Sequence, residues 1–161
     1  KNKLQFHRLT VHLYTNNIVK EKLIIGRAEI IDLPELGMYN IEAKIDTGAE
    51  TSVLHCEDYE VTEKNEKHFI TCHIRPHLET DEILTITFPV HRERVVKSSF
   101  GQTETRHIFL TKIRMFDQLY DIKLSLRDRS TMSYPMLLGR NFISKKFLVD
   151  VSKKNLASNS I

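Results

Sequence analysis

The chain has 161 residues, 40% of them hydrophobic and 28% charged, with a formal net charge of +3. This suits one compact soluble domain with a sizeable core and excludes two full lobes. No apolar run approaches the roughly 18 to 20 residues that a membrane helix needs, and two cysteines, Cys56 and Cys72, are too few for a disulfide framework. In chain order, residues 1–21 carry little periodic pattern and read as an N-terminal arm that either adds an edge strand or packs on a neighbouring subunit. Apolar residues then recur with period two in "KLIIGRAEII" (22–31), "YNIEAKI" (39–45), "ILTITFPV" (83–90), "HIFLTKIRM" (107–115) and "LYDIKLSL" (119–126), which predicts strands. Turn-rich segments at 34–37, 98–102 and 128–135 separate them. One short helix is expected after Gly139, in "RNFISKK", before a last strand over 147–151, and the polar residues 152–161 read as a tail that frays. Many short strands at this spacing point to an all-β domain over 22–151, a barrel or a sandwich.

The stretch with the most chemistry in it is "KIDTGAETSVLHC", residues 44–56. A strand ends on Asp46, and Thr47, Gly48 and Ala49 follow: Thr bonds backbone across a tight turn, Gly offers conformations other residues resist, and Ala keeps the wall thin. That arrangement presents a carboxylate at the tip of a rigid loop. Downstream, "YPMLLGRN" (134–141) runs an apolar pair into Gly-Arg-Asn.

Together, "DTGAETSVL" and "PMLLGRNFI" resemble the signature of the retroviral-type aspartic peptidases. With "RERVVKSSFGQTETRHIF" they are similar to a family of small bacterial retropepsin-like proteins, many of which are labelled ATP-dependent zinc proteases. The chain contains neither HExxH nor a phosphate-cradling GxxxxGK[ST], so the residues support no metal and no nucleotide cofactor. The resemblance implies a retropepsin-like closed barrel with one short helix near the C-terminus. It makes Asp46 the catalytic acid, with Thr47 and Gly48 completing its loop and Ala49 lining the substrate channel. Glu50 stands where retroviral enzymes usually have Asp, and Arg140 matches the arginine that pairs with that acid. The chain opens on Lys1 rather than Met and reads as trimmed, which leaves bacterial cytoplasm and periplasm both open as compartments.

Hydrolysis by carboxylates requires two of them about 3 Å apart sharing one proton, because like charges so close cannot both ionise. No other aspartate of this chain is followed by Thr-Gly or Ser-Gly. A twofold homodimer in which each subunit gives its own Asp46 meets the requirement. Residues 93–109 read as a hairpin turning at Ser98 to Gly101, either a cover over the cleft or an ordinary solvated hairpin. Arg92, Arg94, Lys97 and Arg106 around it are either solvated strand faces or, with Ser98 and Arg140, selectors for an acidic substrate. Some relatives are associated with glutamate-ligase systems, which the second reading fits.

His55, Cys56, Cys72 and His73 could in principle hold zinc, but adjacent strand residues point to opposite faces and do not converge without a bulge. No finger, helix-turn-helix or aromatic-rich pattern suggests nucleic acid. The expected function is therefore an aspartic endopeptidase acting on peptide bonds, on acidic or glutamate-rich polypeptides in particular. The alternative is a retropepsin-like binding module that recognises an acidic polypeptide without cutting it.

Overall fold

A computed structural model of the chain describes residues 21–97, 103–128 and 133–157. The expected arm over residues 1–20, the hairpin turn at Ser98–Gln102 and the last four residues lie outside the described residues. The fold is all-β. Strands β1 (Leu23–Ile25), β2 (Ala28–Leu33), β3 (Met38–Ile45), β4 (Ser52–Cys56), β5 (Asp58–Lys64), β6 (Lys67–Ile74) and β7 (Leu84–Pro89) occupy the first part of the chain. They are followed by β8 (Arg92–Lys97), β9 (Thr103–Met115), β10 (Gln118–Asp128), β11 (Met136–Leu138), the short helix α1 (Arg140–Ile143) and β12 (Phe147–Val149).

Six strands close a barrel in the order β10-β4-β11-β3-β2-β9, the ring being completed by the antiparallel pairing of β9 with β10. Closure removes the sheet edges that an open sheet would leave unpaired. The barrel interior comes from alternation: β3 buries Ile41, Ala43 and Ile45, with Met38 at its start, and β10 points Ile122, Leu124 and Leu126 inward. Strand β8 pairs outside the ring with β9, from Arg92 opposite Ile108 to Lys97 opposite Thr103, so the described parts of the hairpin expected over 93–109 run antiparallel. A separate meander, β5-β6-β7, lays Ile70, Cys72, Ile74 and Phe88 inward. Phe88 stacks on Phe109 of the barrel with ring centroids 3.9 Å apart.

Two expectations change. The single strand over 22–31 is two strands in different sheets, β1 pairing with β12 and β2 entering the barrel. Between them, a Cβ on Gly26 would stand 2.4 Å from the Lys153 carbonyl oxygen, so the chain breaks where another segment crosses its backbone. That crossing segment is the expected tail, and over 152–157 it does not fray. Arg27 N–H donates to the Lys153 carbonyl (2.8 Å), Asn155 N–H to the Ala28 carbonyl (2.9 Å) and Ala157 N–H to Glu29 Oε2 (2.8 Å). Ala157 and Glu29 are both fully buried. Burial pushes the Glu29 carboxyl above its ordinary value, while amides of Gly26, Ala157 and Leu156 hold it back, so this acid works as a clamp on the C-terminal segment.

Candidate active site

The site grows from strand ends that the barrel brings side by side. β11 runs parallel to β3 with Leu138 opposite Ile45, and Asp46 N–H donates to the Leu138 carbonyl (2.9 Å), carrying the pairing one residue past the strand. The chain then turns back through the carboxylate itself: Asp46 Oδ1 accepts from Gly48 N–H (3.0 Å) and Ala49 N–H (3.1 Å). Oδ2 accepts no hydrogen bond from the described residues. Asp46 is half-buried, and Thr47 and Gly48 beside it are exposed.

Gly48 acts by space rather than by conformation. Its backbone is not left-handed, and a Cβ there would stand 3.3 Å from Asp46 Oδ1. The Gly-Arg-Asn segment is sewn to this loop. Arg140 N–H donates to the Ala49 carbonyl (2.8 Å), Asn141 N–H to the Glu50 carbonyl (3.0 Å), and Gly139 N–H to Ser52 Oγ (3.0 Å). The Arg140 guanidinium reaches the carbonyls of Thr47 (3.2 Å) and Gly48 (2.6 Å).

The acid–arginine pair implied by resemblance is rearranged. Arg140 is committed to loop carbonyls, and Glu50 Oε1 instead accepts from Arg94 Nη1 of β8 at 3.1 Å. The site loop and the hairpin are thus tied by a bridge between residues far apart in sequence. Arg94 holds the Glu50 carboxyl below its ordinary 4.5, with smaller help from Asn141 and Arg140 against the opposing effect of burial. A depressed acid keeps its bridge above the ordinary value and loses it only as pH falls through the lowered one. The bridge therefore persists in mild acid. Replacing Arg94 with glutamine should move the Glu50 titration midpoint up toward 4.5, followed by the side-chain carboxyl carbon in NMR. An unmoved midpoint would remove Arg94 as the cause.

Asp46, Ala49, Glu50, Arg94, Arg106 and Arg127 line a cleft of about 500 Å³. Register explains its charge. On β9, Arg106, Ile108 and Leu110 share a face; Arg94 and Arg92 stand opposite Arg106 and Ile108, while Ser125 and Lys123 of β10 stand opposite Ile108 and Leu110. Arg127 shares the β10 alternation. One face of three neighbouring strands therefore carries Arg92, Arg94, Arg106, Lys123 and Arg127, of which Arg94, Arg106 and Arg127 line the Asp46 cleft. Lys97 ends β8 opposite Thr103, with its side chain outside the described residues, as is Ser98. Lys123 and Arg127 were not singled out by sequence reasoning. The available signal was their alternation with Ser125, meaningful only once the partner strand is known.

The cysteine–histidine cluster does not assemble. Cys56 and Cys72 are buried thiols, and Cys72 is pushed up to about 12, first by burial, then by Cys56 and Asp58. His73 pairs with Asp58, which is exposed. Among the described residues no three His, Cys, Asp or Glu side chains gather where they could hold a metal ion.

A closed six-stranded barrel with an Asp-Thr-Gly-Ala turn stitched to a Gly-Arg-Asn segment is the retropepsin-like architecture. The chain belongs to the RimB-like family of retropepsin-like aspartic endopeptidases, whose model matches residues 24–160. It is 31% identical over 130 residues to a probable alpha-L-glutamate ligase of Desulfotalea psychrophila. It is 35% identical over 131 residues to a protein of the same description from Parasynechococcus marenigrum. Each match covers 80% of this chain, which spans only 28% of the length of those relatives. A solved Legionella pneumophila protein of unknown function, Lpg0085, superposes with a TM-score of 0.68 at 23% identity over 84% of this chain and 98% of that one, which shows a shared fold.

Proposed function

We propose that the chain is an aspartic endopeptidase that acts as a twofold homodimer, with Asp46 of each copy meeting in a shared site. The observation that carries this reading is the Asp46 carboxylate at the cleft: one oxygen is fixed by the Gly48 and Ala49 amides, and the other accepts no hydrogen bond from the described residues. With one proton shared between the two acids, the ionised carboxylate takes a proton from water while the protonated one gives its proton to the peptide carbonyl oxygen. Water oxygen bonds to the carbonyl carbon, a tetrahedral diol forms, and protonation of the amide nitrogen lets the C–N bond break. Thr47 and Gly48 hold the loop, Ala49 gives the substrate room, and Glu50 and Arg140 brace the turn, the one through Arg94 and the other through the loop carbonyls.

The substrate we propose is an acidic, glutamate-rich polypeptide. Arg94, Arg106 and Arg127 in the cleft suit carboxylates, with Lys97 and Ser98 of the hairpin contributing to orientation. The description of the relatives as probable alpha-L-glutamate ligases supports a substrate of the kind such a ligase extends, and association with a glutamate-ligase system. The binding-module reading has its own support: the cationic face is complete in one chain, whereas the acid pair requires two.

Incubation with glutamate-rich and mixed-composition peptides, followed by mass spectrometry across acid to neutral pH, tests the proposal. Internal cleavage is expected, with activity per subunit falling on dilution as dimers dissociate. Intact peptides at every pH, from protein that is dimeric by sedimentation, would leave the binding module standing instead.

A further inference from the structure

Beyond the Asp46 cleft lies a second cavity of about 530 Å³, on the far side of the Glu50–Arg94 bridge. The two cavities share Glu50, Thr51, Arg94 and Ile108 as a common wall, but the second does not contain Asp46. Its basic lining is His91, Arg92 and Lys123. The acids that line it are already engaged: Glu50 is held by Arg94, and Asp121 is paired with Lys112. Among the described residues, neither Arg92 nor Lys123 pairs with a carboxylate. Arg92 on β8 and Lys123 on β10 flank β9 from its two sides, opposite Ile108 and Leu110, so the cavity they line presents two like charges that an incoming anion would meet together.

The rest of the lining says which anion. Ile108, Leu110, Ile122 and Phe142 form an apolar wall beneath the charges. A small inorganic anion would leave that wall wet, whereas a side chain with a methylene stem and a terminal carboxylate covers the wall and meets the cations together. From Arg127, in the Asp46 cleft, to Lys123 is four residues along β10, about 13 Å at the rise of a strand. An extended peptide covers this span with about four residues, so a chain lying across Asp46 reaches the second cavity with a side chain several residues away.

We propose that this cavity is a distal subsite that takes a glutamate side chain of the bound polypeptide, with Arg92 and Lys123 as the specificity-determining residues and His91 as a further donor. The proposal rests on the reading that an acidic polypeptide lies in the Asp46 cleft. It deepens that reading by placing selectivity away from the reacting bond.

The test uses the Asp46→Asn chain, so that binding is read without cleavage, and titrates it with a fluorescently labelled glutamate homopeptide and its glutamine counterpart. The Arg92→Gln/Lys123→Gln double variant should weaken glutamate-peptide binding about tenfold or more, since two charge-assisted contacts are lost. The glutamine peptide should lose nothing. Lys64→Gln, on the exposed strand β5, serves as the control and should leave both affinities unchanged. Equal affinities for parent and double variant, or equal losses for both peptides, would overturn the subsite. The two proposals fail separately. If wild type cleaves no peptide while the double variant still loses glutamate binding selectively, the peptidase reading falls and the subsite stands. If wild type cleaves glutamate peptides and the double variant cleaves them with unchanged KM, the subsite alone falls.

Discussion

Asp46→Asn should lower peptide cleavage by about 10⁴-fold or more while leaving fold and peptide binding intact. The separation of effects follows from the geometry of the loop. Asparagine keeps a side-chain oxygen that can accept from Gly48 N–H and Ala49 N–H, the two bonds that shape the turn. What it lacks is an ionisable group to share a proton across the twofold. A thermal midpoint close to wild type, with cleavage gone, is the expected pair of results.

The same substitution measures whether the site is shared. When wild-type and Asp46→Asn chains exchange subunits freely, only pairs with two aspartates can catalyse, so activity should follow the square of the wild-type fraction. An equal mixture should retain about a quarter of the activity of wild-type dimers at the same total concentration. Activity linear in the wild-type fraction would mean that each chain works alone, and the shared-acid mechanism would have to be abandoned. The pH profile gives an independent reading: one shared proton predicts a bell whose two limbs belong to the pair rather than to either residue.

The parts of this molecule legible in the sequence are those whose signal is local. β3 alternates because one of its faces meets water and the other fills the barrel, and period two follows directly. β4 and β11 bury every residue, so "SVLHC" and "MLL" carry no alternation to find. β5 fails for the opposite reason, since all seven of its residues are exposed and nothing marks an inward face. The boundary at Gly26 is invisible without knowing that the backbone of Lys153 crosses it.

The site divides in the same way. The Asp46 turn and the Gly139–Asn141 segment are contiguous motifs, and sequence places both. The partner of Glu50 is set by where the pairing of β8 with β9 puts Arg94, which no motif encodes, and Glu50 pairs with Arg94 while the Arg140 guanidinium holds the loop carbonyls. Lys123 and Arg127 join the cationic face through the register of β10 against β9, a property of the assembled barrel.

Gly139→Ala should be the most damaging single-methyl addition at the site, costing about 1–3 kcal/mol or more in stability and most of the cleavage activity. A Cβ at this position would stand 2.7 Å from the Thr51 carbonyl carbon, 2.8 Å from its oxygen and 3.0 Å from the Glu50 carbonyl oxygen. All three are backbone atoms, which cannot swing aside as a side-chain tip would. Relief requires the Gly-Arg-Asn segment to withdraw from the loop, and that withdrawal breaks specific bonds: Gly139 N–H to Ser52 Oγ, Arg140 N–H to the Ala49 carbonyl and Asn141 N–H to the Glu50 carbonyl. The Arg140 guanidinium would leave the Thr47 and Gly48 carbonyls with it. Asp46 would then sit on a turn no longer braced from behind, and a displacement of about 1 Å is enough to cost roughly 10²-fold in rate when two groups must meet. Gly37→Ala is the informative contrast. It strains a left-handed backbone at φ +67 but meets no atom within 4 Å, so it should lower the melting temperature and leave the rate per folded molecule unchanged. If Gly139→Ala behaved like Gly37→Ala, losing stability with its rate intact, the Gly-Arg-Asn segment would be a packing element of the barrel and not the support of the catalytic turn.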